Sequence, residues 1–155
     1  MNFRLQALAA GPFQALSGCT DEELARRGVK RMVVDEKPGY PCRVSLADAE
    51  VGEVVYLLSY LHHDVQSPYR SAGPIFVRVG AATATPAVNE IPPMFRSRML
   101  SVRAYDGAAL MVDAEVVEGQ MLEEAIQRML ADSRVSYLHV HNARPGCFNC
   151  AVVRA

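Results

Sequence analysis

The chain of 155 residues has no tryptophan, only four cysteines and four histidines, and no excess charge of either sign. Its formal net charge of -1 predicts no electrostatic attraction to nucleic acid or to an anionic membrane surface. No apolar run approaches the roughly 20 residues of a transmembrane helix, and the N-terminus lacks the apolar core of a signal peptide. We therefore expect neither nucleic acid nor a membrane as a partner.

The cysteines are too sparse for the disulfide framework of a small secreted protein. We therefore expect a cytoplasmic location, where all four thiols stay reduced. Half of the residues are hydrophobic, which is enough to build a sizeable core. The length is that of one ordinary domain, and no linker or repeat divides it, so we expect a single domain over residues 1–155.

Two helices are indicated by local patterns. Thr20 and Glu23 have the spacing of a capping box, which predicts a short N-terminal helix to about Arg27. Residues 120–131 place six apolar side chains on one stripe, opposite charged and amide side chains, which predicts the main helix. Residues 53–61 are apolar on both parities, as in an inner strand covered on both faces.

Two hairpins are indicated as well. Residues 99–106 and 110–117 alternate as paired strands, and matching their apolar faces predicts Val102 opposite Val112 and Ala104 opposite Leu110. That register requires a loop longer than two residues, in which we expect Gly107 to have positive φ. Residues 137–154 form the second predicted hairpin, with Pro145 and Gly146 at the centre of a type II turn. Together these elements predict an α+β fold with a largely antiparallel twisted sheet of about six to eight strands and one main helix packed on it.

Four sequence blocks in this order resemble a bacterial family of small proteins defined by domain of unknown function 1203. The blocks are Pro38-Gly39-Tyr40-Pro41-Cys42-Arg43, Ser67-Pro68-Tyr69-Arg70 with Gly73-Pro74-Ile75-Phe76-Val77, Arg103-Ala104-Tyr105-Asp106, and His139-Val140-His141-Asn142-Ala143 with Pro145-Gly146-Cys147. The resemblance covers essentially the whole chain. It implies one bacterial domain, and it brings no activity and no catalytic residues with it.

The second hairpin holds the candidate metal ligands. His139 and His141 lie two apart on a strand, so their side chains share one face. Three cysteines complete a candidate zinc set: Cys147, Cys150 and Cys42. Three alternatives stay open: the cysteines are small buried hydrophobes, Cys147 and Cys150 form a redox dithiol, or Cys42 or Cys147 is a nucleophile with a histidine base.

Arginine side chains define a candidate anion site, because a guanidinium binds carboxylate or phosphate through two parallel hydrogen bonds. The candidate ligand-binding residues are Arg43, Tyr69, Arg70, Arg103, His139 and His141, with Cys147 beside them. The alternative for Arg103 is a solvated ion pair with Asp113. Convergence of these residues in one pocket would favour a small-molecule binding protein or enzyme, and scatter would favour a structural or assembly module. Self-association into a homo-oligomer stays open.

Overall fold

Ten strands and three α-helices account for most of the chain in the computed structural model, which describes residues 1–155. The strands are β1 (Phe3–Gln6), β2 (Lys30–Val33), β3 (Pro41–Cys42), β4 (Ala47–Asp48), β5 (Val54–His63), β6 (Ser71–Arg78), β7 (Met99–Tyr105), β8 (Met111–Glu118), β9 (Tyr137–Asn142) and β10 (Phe148–Arg154). The helices are α1 (Gly11–Gln14), α2 (Asp21–Arg26) and α3 (Leu122–Ala131), with 3₁₀ turns at Ala15–Gly18, Pro93–Phe95 and Gly119–Met121. None of these helices combines the length and apolarity needed to cross a membrane.

The strands divide into two five-stranded sheets. The first has the order β1-β10-β9-β7-β8, and the second has the order β2-β5-β6-β3-β4. Every pairing is antiparallel except that of β3 with β6, where Cys42 lies opposite Phe76. The predicted α+β class is therefore confirmed, but the strands form two sheets of five instead of one sheet of six to eight.

The predicted helices are both present. The Thr20 hydroxyl accepts from the Glu23 amide while the Glu23 carboxylate accepts from the Thr20 amide, so the capping box that starts α2 is complete. The apolar stripe of α3 is buried against the first sheet, and Met129 is 2% exposed there. This helix and the inner face of the first sheet form the main core of 20 residues. A second core of nine residues joins the N-terminal helices to the second sheet.

The predicted register of the β7–β8 hairpin is wrong. Val102 lies opposite Glu115, and Ala104 lies opposite Asp113, with an irregularity before Tyr105. The turn explains the difference, because the Asp106 carboxylate accepts from the amides of Ala108 and Leu110 and so fixes a tight loop. The prediction of positive φ at Gly107 is also wrong, because positive φ in this loop occurs at Ala109 (+59°).

The β9–β10 hairpin is confirmed, with Gly146 at φ +82°, but the Gly146 amide donates to the Asn142 carbonyl at 2.9 Å, so the loop is wider than the predicted type II turn. Phe148 pairs with His141, but the next regular pair is Cys150 with Val140, so Asn149 is an extra residue in a β-bulge. A bulge changes which face the following residues occupy. Phe148 therefore shares a face with His141, whereas Cys150 points with Val140 into the main core.

Candidate functional site

All four histidines of the chain meet in one cluster. His139 and His141 come from β9 in the first sheet, while His62 and His63 come from the last two residues of β5 in the second. The ring centroid of His62 lies 6.1 Å from that of His139 and 5.2 Å from that of His141. The ring centroid of His63 lies 4.7 Å from that of His139. The shared face predicted for His139 and His141 is confirmed, since their rings lie 6.2 Å apart.

Aromatic side chains fill the space around these imidazoles. The His62 ring stacks on Phe148 with centroids 4.9 Å apart, and Tyr105 stacks on Tyr137 at 5.4 Å. Tyr69 closes the group from the loop after β5, with its ring edge-on to Tyr105 at 5.8 Å. We call this group the histidine cluster; its members are His62, His63, Tyr69, Tyr105, Tyr137, His139, His141 and Phe148. It joins the second face of the first sheet to the end of the second sheet.

Hydrogen bonds fix only some of the ring nitrogens. His63 is saturated, because its Nδ1–H donates to the Tyr69 carbonyl at 2.8 Å and its Nε2 accepts from the Tyr137 hydroxyl at 2.7 Å. His141 donates from Nδ1 to the Gly146 carbonyl at 2.9 Å. Nδ1 of His62, Nδ1 of His139 and Nε2 of His141 are buried without a partner. The donor roles follow from the partners, since a carbonyl oxygen only accepts.

Burial keeps the imidazoles neutral. It lowers the pKa of His139 to about 3, with a further lowering by the neighbouring histidines and Arg103. Burial likewise lowers the pKa of His141 to about 4 and that of His62 to about 4. A low-dielectric environment disfavours the charged form of a base, so at neutral pH these three rings carry no charge.

Arg103 is a permanent positive charge beside the histidine cluster, on the same sheet as His139. It lies opposite His139 on the neighbouring strand, and its Nε–H donates to the Ser101 hydroxyl at 3.2 Å. The alternative ion pair with Asp113 does not form; the Asp113 carboxylate accepts from the Ala114 amide instead. The structure thus brings Tyr69, Arg103, His139 and His141 together. It leaves Arg70 outside, in an exposed ion pair with Asp64 at 3.5 Å.

Arg43 belongs to a second group on the other side of Phe148. Its side chain is fully buried, and its Nε–H donates to the Phe148 carbonyl at 2.7 Å. One Nη donates to the Pro41 carbonyl, and the other donates to the Cys147 sulfur at 3.1 Å. No carboxylate forms an ion pair with Arg43, and burial lowers the pKa of its guanidinium. A buried cation without a carboxylate is unusual because its desolvation is uncompensated.

A cleft of about 760 Å³ opens onto this arginine. Arg43, Arg98, Arg144, Asn142 and Cys147 supply its polar lining, together with Ser97 and, as its one acidic residue, Glu36. Arg98 is neutralised by Asp48, which accepts two hydrogen bonds from it at 2.6 and 3.1 Å. Arg144 is exposed and forms no ion pair, so the lining carries more positive than negative charge.

Cys147 receives two donors within the cleft. Besides Arg43, the Asn142 side-chain amide donates to its sulfur at 3.5 Å, and Asn149 donates in turn to Asn142 Oδ1 at 2.8 Å. Asn149 is fully buried, so this chain of amides has a fixed orientation. No histidine forms a hydrogen bond with the sulfur.

The five candidate zinc ligands do not meet. Cys150 is buried in the main core, where desolvation raises the pKa of its thiol, and Cys42 is buried in the second core. The Cys42 sulfur accepts from the amides of Ser45 and Arg78 at 3.4 and 3.3 Å. No group of three or more histidine, cysteine, aspartate or glutamate side chains is arranged to hold a metal ion. All four cysteines are free thiols, so Cys147 and Cys150 are not joined in a disulfide.

Sequence reasoning missed two of the four histidines in the histidine cluster, His62 and His63. We placed His62 and His63 in the loop after an expected strand end at residue 61, whereas β5 continues through both. The missed indication was their position directly after an uninterrupted apolar strand. Asn142 and Asn149 were also missed, because polar residues near a turn are ordinarily solvent-exposed.

The chain belongs to a family described as protein of unknown function (DUF1203), whose model matches residues 39–154. The resemblance seen in the four sequence blocks is thereby confirmed. The matched range includes every residue of the histidine cluster and of the cleft except Glu36 and Pro38. No curated protein and no solved structure matches the chain.

Proposed function

We propose that this member of the family binds a small organic anion, a carboxylate or a phosphate, in the cleft above Arg43. The observation on which the proposal rests is the fully buried guanidinium, which lines the cleft and has no carboxylate partner. Taking a charged side chain out of water costs several kcal/mol, and apolar side chains of similar volume are often cheaper in such positions. An anionic ligand in the cleft would lie beside this positive charge and that of Arg144.

The rest of the lining suits the same ligand. Arg144 adds a second guanidinium without an acidic partner, and the side chains of Ser97 and Asn142 offer uncharged polar groups. Guanidinium groups are well matched to the two oxygens of a carboxylate or phosphate. A cavity of about 760 Å³ lies within the size range of small-molecule sites.

The histidine cluster has a different role in this proposal. Its rings pack on one another, and no cavity of comparable size opens onto it. We therefore assign it to joining the two sheets, as a neutral aromatic contact. Tyr69, Arg103, His139 and His141 then support the fold next to the cleft, and Phe148 links the two groups through its ring and its carbonyl oxygen.

We also place the protein in the bacterial cytoplasm, without a nucleic-acid partner. The absence of disulfide bonds among the four cysteines supports a reducing compartment, and the net charge of -1 gives no basic surface in excess. Zinc remains a lesser proposal for the His139–His141 face. Purified protein would then contain about one zinc per chain, and chelation would lower its melting temperature.

Thermal unfolding in the presence of phosphate, malonate or succinate tests the anion site. An anion at about ten times its Kd adds about 1.4 kcal/mol to the stability of the folded state. In a chain of this length, that increment raises Tm by roughly 3–6 °C. Sodium chloride at equal ionic strength provides the salt control.

Arg144→Gln and Arg27→Gln form a matched pair of variants. Arg144 lines the cleft, whereas Arg27 is an exposed arginine at the end of α2. Arg144→Gln should reduce the anion-induced rise in Tm, and Arg27→Gln should leave it unchanged. An equal rise in both variants, or no rise beyond that given by chloride, would contradict the proposal.

A further inference from the structure

We propose that Cys147, whose sulfur accepts a hydrogen bond from Arg43, acts as a nucleophile toward a small carboxylate-bearing electrophile bound in the cleft. This inference rests on the proposed anion site and names the kind of ligand that this site binds. It assigns covalent chemistry to a residue whose contacts otherwise serve only to position the β9–β10 turn.

The charge balance of the buried arginine is the first argument. Arg43 is fully buried, and its three hydrogen-bond acceptors are two backbone carbonyls and one sulfur. Of these acceptors, only the Cys147 sulfur can carry a negative charge. An ionised guanidinium in a desolvated position is stabilised by an adjacent anion, and the guanidinium stabilises that anion equally.

The surroundings of the sulfur give the second argument. Both side chains that contact it are donors, Arg43 at 3.1 Å and Asn142 at 3.5 Å, and no carboxylate lies among its partners. Cysteine nucleophiles occur in such electropositive, partly exposed positions, whereas structural cysteines are enclosed by apolar groups. Cys150 is enclosed in the main core and Cys42 is buried in the second core, where its sulfur accepts only from backbone amides, while Cys147 is partly exposed at the cleft.

The cleft supplies the third argument, which is independent of the thiol. Arg144 is exposed on its lining without an ion-pair partner, and its guanidinium matches the two oxygens of a carboxylate. Arg144 lies on the same lining as the sulfur, so a carboxylate bound there would place the rest of a small molecule near Cys147.

The proton of the partly exposed Cys147 thiol passes to solvent water, which leaves the thiolate that reacts. The thiolate electron pair forms a bond from sulfur to the electrophilic atom, the bond to the leaving group breaks, and the leaving group departs with its electron pair. No histidine forms a hydrogen bond with the sulfur, and the hydrogen bonds from Arg43 and Asn142 stabilise negative charge on it.

Iodoacetate and iodoacetamide form a matched pair of probes, because they differ only in the charge beside the same alkylating carbon. With each reagent, the thiolate forms a thioether and iodide leaves. Folded wild-type protein is alkylated at neutral pH, and peptide mass mapping gives the rates at Cys147 and at Cys19. Cys19 is the internal reference, since it is partly exposed and its sulfur contacts only a backbone carbonyl.

We expect the ratio of iodoacetate rate to iodoacetamide rate to be at least about tenfold higher at Cys147 than at Cys19. Arg144→Gln should lower this rate ratio at Cys147, and about 1 M salt should lower it as well by screening the charges. Equal ratios at the two cysteines, or no alkylation of Cys147 by either reagent, would overturn the inference.

The two proposals fail separately. Cys147→Ser removes the thiol but keeps Arg43, Arg98 and Arg144, so malonate should still raise its Tm if the cleft binds anions. A malonate effect without the iodoacetate preference overturns the nucleophile and leaves the anion site standing. If malonate raises the Tm of neither the wild type nor the Cys147→Ser variant, the anion site itself is overturned.

Discussion

Acidification to about pH 5.5 should destabilise this protein, because His139 and His141 are buried in neutral form. The pKa of His139 is about 3 and that of His141 is about 4, and both lie below the value of 6.5 for an unfolded chain. The unfolded state therefore binds protons that the folded state excludes. Stability is complete above about pH 6.5 and falls as the pH drops toward the folded pKa values.

The magnitude follows from the proton balance of these two residues, which are 5% and 2% exposed. At about pH 5.5 the folded state holds neither proton, while both unfolded imidazoles are largely charged. Each residue then contributes a loss of about 1.4 kcal/mol relative to pH 8, so the pair contributes about 3 kcal/mol. His62, with a pKa of about 4, adds a smaller loss because it is half-buried and solvent screens its charge.

Urea unfolding between about pH 8 and pH 5.5 measures this effect, provided that the m-value stays constant. Asp132 does not interfere, because Arg134 lowers the pKa of its carboxyl to about 2, far below this window. The double variant His139→Gln/His141→Gln keeps polar side chains that cannot titrate, so its stability should depend only weakly on pH here. A wild-type loss under about 1 kcal/mol, or an equally steep dependence in the double variant, would refute the reasoning.

Three further substitutions test the packing that supports the sites. Gly119→Ala should lower the free energy of unfolding by about 3 kcal/mol or more, because an added Cβ would lie 1.9 Å from the Phe95 carbonyl oxygen. Gly107→Ala is the control: the nearest atom to its added Cβ is the Ser136 hydroxyl oxygen at 3.5 Å, so it should be nearly neutral in the same urea melts. Met129→Ala should cost about 2–5 kcal/mol, and a loss under about 1 kcal/mol would mean that α3 is not packed as described. Thr20→Ala should cost about 1 kcal/mol by removing the cap of α2, whereas Thr20→Ser should retain most of it.

Local patterns were sufficient wherever neighbouring residues determine the structure. The capping box at Thr20, the apolar stripe of α3 and the turn at Gly146 each depend on a few consecutive side chains and backbone angles. The β7–β8 register depends on more than that. The Asp106 side chain binds two amides of the loop, and this choice of turn overrides the matching of apolar faces.

The burial of Arg43 could not be predicted from alternation. Residues 41–44 are all buried, so this segment has no solvent-facing side, and its alternation of residue types does not indicate where the Arg43 side chain lies. Its acceptors lie at Pro41, Phe148 and Cys147, and two of these are more than a hundred residues away in sequence. Only the packing of the β9–β10 turn against β3 creates the position.

A single inserted residue removes Cys150 from the predicted zinc set. Without Asn149 as a bulge, regular pairing from Phe148 and His141 would place Cys150 opposite His139, on the face of the histidine cluster. With the bulge, Cys150 lies opposite Val140 in the main core, and Ala151 takes the place opposite His139. The Asn149 side chain then donates to Asn142, whose amide contacts Cys147. One local irregularity thus removes a thiol from the imidazoles and orients Asn142, which donates to the thiol in the cleft, so the hairpin supports an arginine–cysteine site better than a metal site.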